Sequence, residues 1–443
     1  MGILNRKILS NTVWIVGCRI VQSLLALVIN MISARYLGPS NYGLLNYVSS
    51  IVAFVVPLAQ LGLRNVLVEE IVSHPEREGE TLGTTLVMSA VASLFCLAGC
   101  MAFVLAVNAD ERDTLIVLAL YGISLVFQMT EMIQYWYQAK LLSKYTAITS
   151  LFAYVIVTIY KIVLLVCGKN IYWFAVSNAL DYCLISIILL ILYNKLGRQR
   201  LSFSLYLGKK MFSRSKYYIV AGMMVTIFSQ TDKIMIKNML GNAENGYYSI
   251  AISCAGFSGF VFMAIIDSFR PVILASRKES MQTFERNLSL LYCIIIYLGF
   301  AQSVFITIFA KLIVNIFYGS AYLPAAIVLQ IIVWYTAFSY MGVIRNIWIL
   351  AESKQKCLWK INLFGALLNV IGNLILIPIM GVAGAAISSV ATQFFANFVL
   401  SFIMKPIRKN GILMLESLNP KFLIEITKKM LKEKNKPFPK KNV

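Results

Sequence analysis

The feature of this sequence that most constrains its fold is a succession of apolar segments, each about as long as a bilayer is thick. They fall at residues 13–34, 44–66, 82–106, 114–138, 145–167, 171–193, 217–239, 248–268, 289–313, 323–345, 359–378 and 381–404. A helix needs about 20 mostly apolar residues to cross the hydrocarbon core of a membrane. The composition agrees, because 59% of the residues are hydrophobic and only 13% are charged. We therefore predict an all-α polytopic membrane protein of about twelve transmembrane helices.

The positive charges predict how these segments are oriented. The connections alternate between basic and nearly uncharged. The basic set, which is every second connection together with both termini, holds 32 of the 40 lysines and arginines. The other connections hold only Arg35, Arg112, Lys169 and Lys311. Because cytoplasmic loops carry an excess of Lys and Arg, both termini are expected in the cytoplasm. An even number of spans is then required, and twelve satisfies it.

A repeated motif divides the chain into two halves. A Leu-Gly pair followed by a second glycine five residues later occurs at residues 37–43 and again at 240–246. Each half then begins on the same side and has six spans, as in parallel repeats about an axis along the membrane normal. The predicted domains are an N-terminal six-helix lobe (1–195), a basic cytoplasmic linker (196–216), a C-terminal six-helix lobe (217–404) and a basic cytoplasmic tail (405–443).

The net charge of +21 lies in these connections and in the tail. It does not lie on a soluble face interleaved with aromatic residues, so no nucleic-acid partner is predicted. Within the tail, Asn419 and Pro420 form a helix-start pattern. Two interpretations stay open for the residues after Pro420, an amphipathic helix lying on anionic membrane lipid and a solvated basic tail.

Charged and amide side chains inside the predicted spans mark the candidate site. An ionisable residue in a membrane is costly and usually faces the bundle interior or a wet cavity. Arginine binds phosphate bidentately and lysine binds it as a point charge, while amides suit sugar hydroxyls. The candidates for substrate binding are Arg19, Lys161, Lys233, Arg270, Asn30 and Gln230. The candidates for titration in an ion-coupled cycle are Glu131, Asp181 and Asp232.

Each of these side chains also has a structural interpretation. Asp232 can form an ion pair with a cation, and Lys237 and Arg270 can reach the interface from the ends of their spans. The eight cysteines have no regular spacing, and the only histidine, His74, lies in an acidic loop. Neither a disulfide framework nor a metal site is predicted, and no cofactor is expected.

Three stretches of the chain resemble a known family. Residues 34–43 (ARYLGPSNYG) resemble the first-loop signature of bacterial polysaccharide flippases, and residues 229–236 (SQTDKIMI) resemble their seventh-span region. The Gly/Ala-rich region at 362–386 resembles their third recurring region. The sequence is thus similar to O-antigen or capsule repeat-unit flippases of the Wzx type, in the multidrug/oligosaccharidyl-lipid/polysaccharide exporter superfamily. Asp232 and Lys233 match motif positions of the family, whereas Arg19, Lys161 and Glu131 match none.

The resemblance implies a V-shaped pair of six-helix lobes that work by alternating access in the bacterial inner membrane. The implied substrate is an undecaprenyl-pyrophosphate-linked oligosaccharide of lipopolysaccharide or capsule synthesis, moved from the cytoplasmic to the periplasmic leaflet. Membrane lipid, the polysaccharide polymerase and other glycan-assembly proteins are the implied partners. Lipid II flippases of the same superfamily typically have fourteen spans, and this chain lacks room for the extra pair.

Two other classes of protein compete with this interpretation. A drug/cation antiporter of the same superfamily needs an acidic and aromatic cavity, whereas the basic candidates here are at least as numerous as the acidic ones. A membrane enzyme needs a catalytic constellation, and the sequence has no metal-ligand cluster, no Ser/His pair in reach and no phosphate-cradling loop. We therefore expect a transporter and not an enzyme.

Overall fold

The computed structural model describes residues 3–197 and 199–419, and every regular element among them is helical. Side chains are described from Trp14 onward, apart from residues 16 and 198. The helices are α1 (Ile3–Ala59), α2 (Arg64–Ser73), α3 (Glu78–Val107), α4 (Arg112–Gln128), α5 (Glu131–Ala139), α6 (Ser143–Val166), α7 (Ile171–Leu196), α8 (Leu205–Leu240), α9 (Asn242–Ala255), α10 (Gly259–Glu279), α11 (Met281–Tyr318), α12 (Ala325–Ile332), α13 (Trp334–Ala351), α14 (Lys356–Met380), α15 (Val382–Phe394), α16 (Leu400–Ile403) and α17 (Arg408–Glu416). The all-α prediction is confirmed.

Within the described residues, eleven helical stretches are long and apolar enough to cross a membrane. The first, Gly17–Ser73, has 57 residues. The backbone inside α1 leaves helical geometry at Gly38, with φ 73° and ψ 170°, a conformation that glycine adopts readily. Since about 20 residues suffice for one span, each arm of α1 is long enough to cross by itself. Counted as two arms, α1 brings the number of spans to the predicted twelve.

Two interruptions of the helices shape the second half of the chain. The predicted span at 248–268 is broken, because α9 ends at Ala255 and α10 begins only at Gly259. Hydropathy does not reveal this break, since the small residues at the junction fit an apolar run. Gly381, with φ 61°, separates α14 from α15 and makes the predicted short hairpin turn.

Two regions predicted as basic connections are partly helical. The predicted linker spans 196–216, but α8 begins at Leu205, so among the described residues of this stretch only 197 and 199–204 lack helix. In the predicted tail, 405–443, α17 buries Leu413 and Met414. Basic side chains can lie on the exposed face of a helix at the membrane edge, so a run of lysines does not exclude helix. The rest of the tail, with the predicted amphipathic helix after Asn419, lies outside the described residues.

The chain divides into two compact units. The first unit comprises Met1–Ser249 with Phe317–Tyr322, and the second comprises Ile250–Ile316 with Leu323–Val443. These boundaries differ from those of the predicted lobes at 1–195 and 217–404. The parallel repeat of two six-helix lobes stays a prediction.

Each unit has its own apolar core. The packing of this core holds in position the helices that carry the polar residues. In the first unit α2, α3, α5, α6, α7 and α8 contribute, and its fully buried members include Leu67, Leu82, Tyr137, Leu189 and Met211. In the second unit α10, α11, α13, α14, α16 and α17 contribute, and Phe262, Phe284, Tyr292, Trp348 and Met414 are buried there. Large aromatic side chains anchor both cores because each buries extensive apolar area.

The two copies of the repeated motif contact each other within the first unit. A Cβ atom on Gly43 would lie 1.7 Å from the carbonyl oxygen of Asn242, and one on Gly246 would lie 2.2 Å from that of Pro39. Pro39 and Asn242 each stand four residues before the glycine of their own motif, so the contact is reciprocal. Asn245 Nδ2 also donates to the Gly43 carbonyl at 2.8 Å. Glycine permits this close backbone approach, as it does at other helix crossings in membranes.

Candidate functional site

A polar cavity of ≈480 Å³ lies within the first unit. Its walls come from the first arm of α1 and from α2, α5, α6 and α7. Residues three, four or seven apart lie on one face of a helix, which explains how α5 and α6 each present a polar row to it. The polar side chains of the lining are Arg19, Gln22, Arg64, Glu131, Gln134, Tyr135, Gln138, Ser143, Thr146, Ser150, Asp181 and Tyr182.

Arg19 is the cation that the first arm of α1 contributes to this cavity. Its side chain is exposed, and it forms neither an ion pair nor a hydrogen bond with any residue that the structure describes. An arginine within a span is costly unless water or a partner satisfies it. The five N–H donors of the Arg19 guanidinium are therefore available to an anionic ligand in the cavity.

Glu131, at the start of α5, is held by one neighbour in the turn after α1 and one on α2. Gln60 donates to its Oε2 at 2.5 Å. Arg64 lies close enough to attract it electrostatically, and the Arg64 guanidinium also stacks over the ring of Tyr135, 5.2 Å from the centroid. These contacts join the turn after α1 to α2 and α5 at the cavity wall. They leave Glu131 with less capacity for a ligand than an unbonded carboxylate has.

Asp181 also lines the cavity, from α7. Its Oδ1 atom is buried and accepts no hydrogen bond from the residues of the described ranges. Lys161 on α6 is near enough to attract it electrostatically, but the described ion pairs at contact distance do not include this pair. Lys161 is itself half-buried and is not part of the cavity lining.

The other predicted site residues do not line this cavity. Asn30 is exposed on α1. On α8, Gln230 and Lys233 are half-buried, and the carboxylate of Asp232 accepts a hydrogen bond from the hydroxyl of Tyr248. Arg270 belongs to the second unit and is exposed, and its Nη1 lies 3.5 Å from Oδ1 of Asp267. The structure thus places Arg19, Glu131 and Asp181 around one cavity, and Lys161 lies near Asp181 outside its lining. The predicted site residues that lie away from this cavity are Asn30, Gln230, Lys233, Asp232 and Arg270.

Some polar residues of the cavity were not among the predicted site residues. Arg64 was counted among the loop charges, although it stands at the start of α2 and faces the cavity. Gln134 and Gln138 on α5 also line the cavity and were not predicted. The signal for both was the helical spacing from Glu131, because three and seven residues place a side chain on the same face.

Two buried cations also lie where the sequence did not indicate. Lys237, predicted to reach the interface, is 3% exposed and pairs with Glu111 in the loop before α4. Arg345, counted as a loop charge, lies inside α13 and is 3% exposed. Its Nη1 donates to the Ala396 carbonyl at 2.7 Å, in the π-helical stretch Phe395–Val399. The ends of apolar runs do not show how far a helix continues, so both cations looked peripheral.

Comparison with solved structures identifies other proteins that have this fold. An inward-facing multidrug resistance MATE family transporter of the MOP superfamily matches with a TM-score of 0.66 at 15% identity, over 89% of this chain and 96% of that chain. The lipid II flippase MurJ, in an inward closed conformation, matches with a TM-score of 0.66 at 15% identity, over 94% of this chain and 93% of that chain. A MOP superfamily transporter from Pyrococcus furiosus has a TM-score of 0.57 at 12% identity, with coverages of 92% and 96%. These matches show that the chain has the fold shared by MATE transporters and MurJ.

The family is evident from the sequence itself. The profile of the family described as polysaccharide biosynthesis protein matches residues 8–275, and the chain belongs to that family. An uncharacterized membrane protein of Methanocaldococcus jannaschii is 25% identical over 273 residues, which cover 58% of this chain and 52% of that protein. The chain thus spans about half the length of this curated relative. The resemblance to polysaccharide flippases is confirmed at the level of family and fold.

Proposed function

We propose that this protein is a flippase for an undecaprenyl-pyrophosphate-linked oligosaccharide, moved from the cytoplasmic to the periplasmic leaflet of a bacterial inner membrane by alternating access. The observation that carries the proposal is Arg19, a guanidinium that no described residue pairs, in a polar cavity among membrane-crossing helices. A flippase must shelter a charged headgroup across about 30 Å of hydrocarbon while the lipid tail stays in the bilayer. Arg19 supplies a phosphate partner there, and the amides and hydroxyls around it suit sugars.

The remaining predicted site residues take supporting roles in this proposal. Lys161, Lys233, Arg270, Asn30 and Gln230 are proposed to contact substrate in other stages of the cycle. Glu131, Asp181 and Asp232 stay the proposed groups for coupling to an ion gradient. The substrate chemistry also makes the polysaccharide polymerase a proposed partner, since the polymerase consumes the translocated repeat units.

The proposal is tested by reconstituting the protein in liposomes that contain a fluorescent polyprenyl-pyrophosphate-linked oligosaccharide. A membrane-impermeant quencher reports the rate at which the label changes leaflet. Arg19→Gln should slow this rate about tenfold or more, because a hydrogen bond to a charged group contributes about 1.5–3 kcal/mol. Lys311→Gln, which removes an exposed cation on α11, is the matched control and should keep the wild-type rate. Equal rates for Arg19→Gln and wild type would contradict the role of Arg19.

A drug/cation antiporter is the second candidate, and Glu131 and Asp181 favour it because both carboxylates line the same cavity. The two functions separate in one preparation. Liposomes loaded with ethidium and given a proton or sodium gradient should retain the dye if the protein is a glycan flippase. Gradient-driven ethidium movement that Asp181→Asn abolishes, with no movement of the labelled oligosaccharide, would establish the antiporter instead.

A further inference from the structure

Asp181 differs from Glu131, the other carboxylate of the cavity, in the hydrogen bonds that it accepts. Both line the same space, but Gln60 already donates to Oε2 of Glu131 at 2.5 Å. Asp181, by contrast, lines the cavity with a carboxylate that receives no hydrogen bond from the protein within the described ranges. A carboxylate without a hydrogen-bond donor gains more from a donor on a ligand than one that is already bonded. Asp181 is therefore the acceptor in this cavity that gains most from a ligand carrying hydroxyl donors.

The surroundings of Asp181 narrow the chemistry of that ligand. Tyr182, next to it in the chain, and Tyr135 present aromatic rings to the cavity, and Gln134 and Ser150 present an amide and a hydroxyl. Sugars carry vicinal hydroxyls that donate to one carboxylate and C–H faces that pack on aromatic rings. A metal ion is a poorer match, because no three His, Cys, Asp or Glu side chains of the described residues are grouped so that they could hold one.

We infer that Asp181 recognises the sugar part of the substrate, accepting hydrogen bonds from its hydroxyls while Arg19 holds the phosphate. This inference rests on the proposed function, but it assigns Asp181 to sugar recognition instead of ion coupling, which it leaves to Glu131 and Asp232. Two residues of the cavity then bind different parts of the substrate. Arg19 binds any pyrophosphate-bearing lipid, loaded or not. Asp181 adds affinity only when a glycan is attached, so it distinguishes a completed lipid-linked glycan from the bare lipid carrier.

The test compares two ligands on the full-length protein in nanodiscs. One is a prenyl pyrophosphate of three isoprene units, and the other is the same molecule carrying a hexose disaccharide on the pyrophosphate. Wild-type protein should bind the glycosylated ligand more tightly than the bare one. Asp181→Asn and Asp181→Ala should weaken the glycosylated ligand about 10- to 100-fold and leave the bare ligand within about twofold. Arg19→Gln should weaken both, and Asp110→Asn, an exposed carboxylate in a loop, should weaken neither.

Each result decides a different question. If wild-type protein binds neither ligand, the proposed function fails. If wild-type protein binds both equally, or if the Asp181 variants lower both affinities equally, the inference about the sugar fails while the phosphate site of Arg19 stands. If Asp181→Asn keeps the preference for the glycosylated ligand but removes a dependence of transport on sodium or pH, Asp181 is a coupling residue and the inference is overturned. Thermal unfolding of each variant shows whether a loss of affinity reflects a loss of fold.

Discussion

Lys237 donates two hydrogen bonds to the carboxylate of Glu111, at 2.7 and 2.8 Å, from the last turn of α8 to the loop before α4. The Lys237 ammonium also lies 4.7 Å from the ring centroid of Tyr47 on the second arm of α1. The hydroxyl of Tyr47 then donates to Asn108 Oδ1 at 2.8 Å. Three segments of the first unit, distant in sequence, are thus joined by one lysine at one end of the bundle.

Replacing this lysine is expected to destabilise the first unit. Lys237→Met keeps the length of the side chain but removes the charge, so Tyr47 loses its cation and Glu111 loses its partner. Glu111 is 43% exposed and can be rehydrated, so we expect a loss of about 1–3 kcal/mol and not the larger cost of a stranded buried charge. Thermal unfolding in detergent measures the change, and Lys311→Met on an exposed surface is the control. Coincident melting curves for the two variants would show that the pair adds no stability.

The same pair predicts a dependence of stability on pH. Partial burial alone would raise the pKa of Glu111, but hydrogen bonds from Lys237 and Thr114, with the charge of Lys237, bring this pKa below its ordinary value of 4.5. A carboxylate whose pKa is lowered by folding stabilises the fold above its unfolded pKa. Its contribution is lost as the pH falls through the lowered pKa. The difference in melting temperature between wild type and Glu111→Gln should therefore be constant near neutrality and shrink below about pH 4.5. A difference that grows as the pH falls would have the wrong sign.

The sequence predicted much of the fold because the cost of placing polar groups in lipid is strong and local. Apolar length gave the spans, and Gly381 marked the hairpin turn between α14 and α15. The same cost singled out Arg19, Glu131 and Asp181, which the structure places around one cavity. An ionisable residue inside an apolar run is recognisable without any knowledge of its neighbours.

The sequence could not predict contacts that depend on where helices end and which helices meet. Arg64 and Arg345 stand near the ends of apolar runs, where a loop charge and a buried charge look alike. The partner of Lys237 lies 126 residues away, in a loop. Nor does a repeated motif reveal that its two copies pack on each other, because that contact is a property of the assembled bundle.

The reciprocal contact of the repeated motifs gives a third prediction. Gly43→Ala would place a methyl group 1.7 Å from the Asn242 carbonyl, and Gly246→Ala would place one 2.2 Å from that of Pro39. At both positions the added methyl group would clash with backbone atoms, so the clash can be relieved only by a shift of α1 against α9. Each variant should therefore lose about 1–3 kcal/mol of stability. Gly99→Ala in α3, which meets no atom within 4 Å, is the control. It should be neutral or stabilise the protein by up to about 1 kcal/mol.

That comparison also tests the reciprocity. Equal losses at Gly43 and Gly246, with a double variant that loses less than the sum, would indicate one shared contact. Wild-type stability for either single variant would show that the two backbones are not in close contact at that position.

The connection between α7 and α8 gives the last prediction. Residues 199–204 lie along the first turns of α3, where Gly79 N–H donates to Gln199 Oε1 at 3.0 Å and Ser204 N–H donates to Thr84 Oγ1 at 3.0 Å. A Cβ on Gly83 would lie 2.3 Å from the carbonyl oxygen of Ser202. Gly83→Ala should therefore lift this connection from α3 and make the backbone at Arg200 accessible to trypsin. Limited proteolysis should cut the variant after Arg200 at least about tenfold faster than wild type, since cleavage depends on the population of the open form. Gly99→Ala should be cut at the wild-type rate, and equally slow cleavage of Gly83→Ala would show that the connection is held elsewhere.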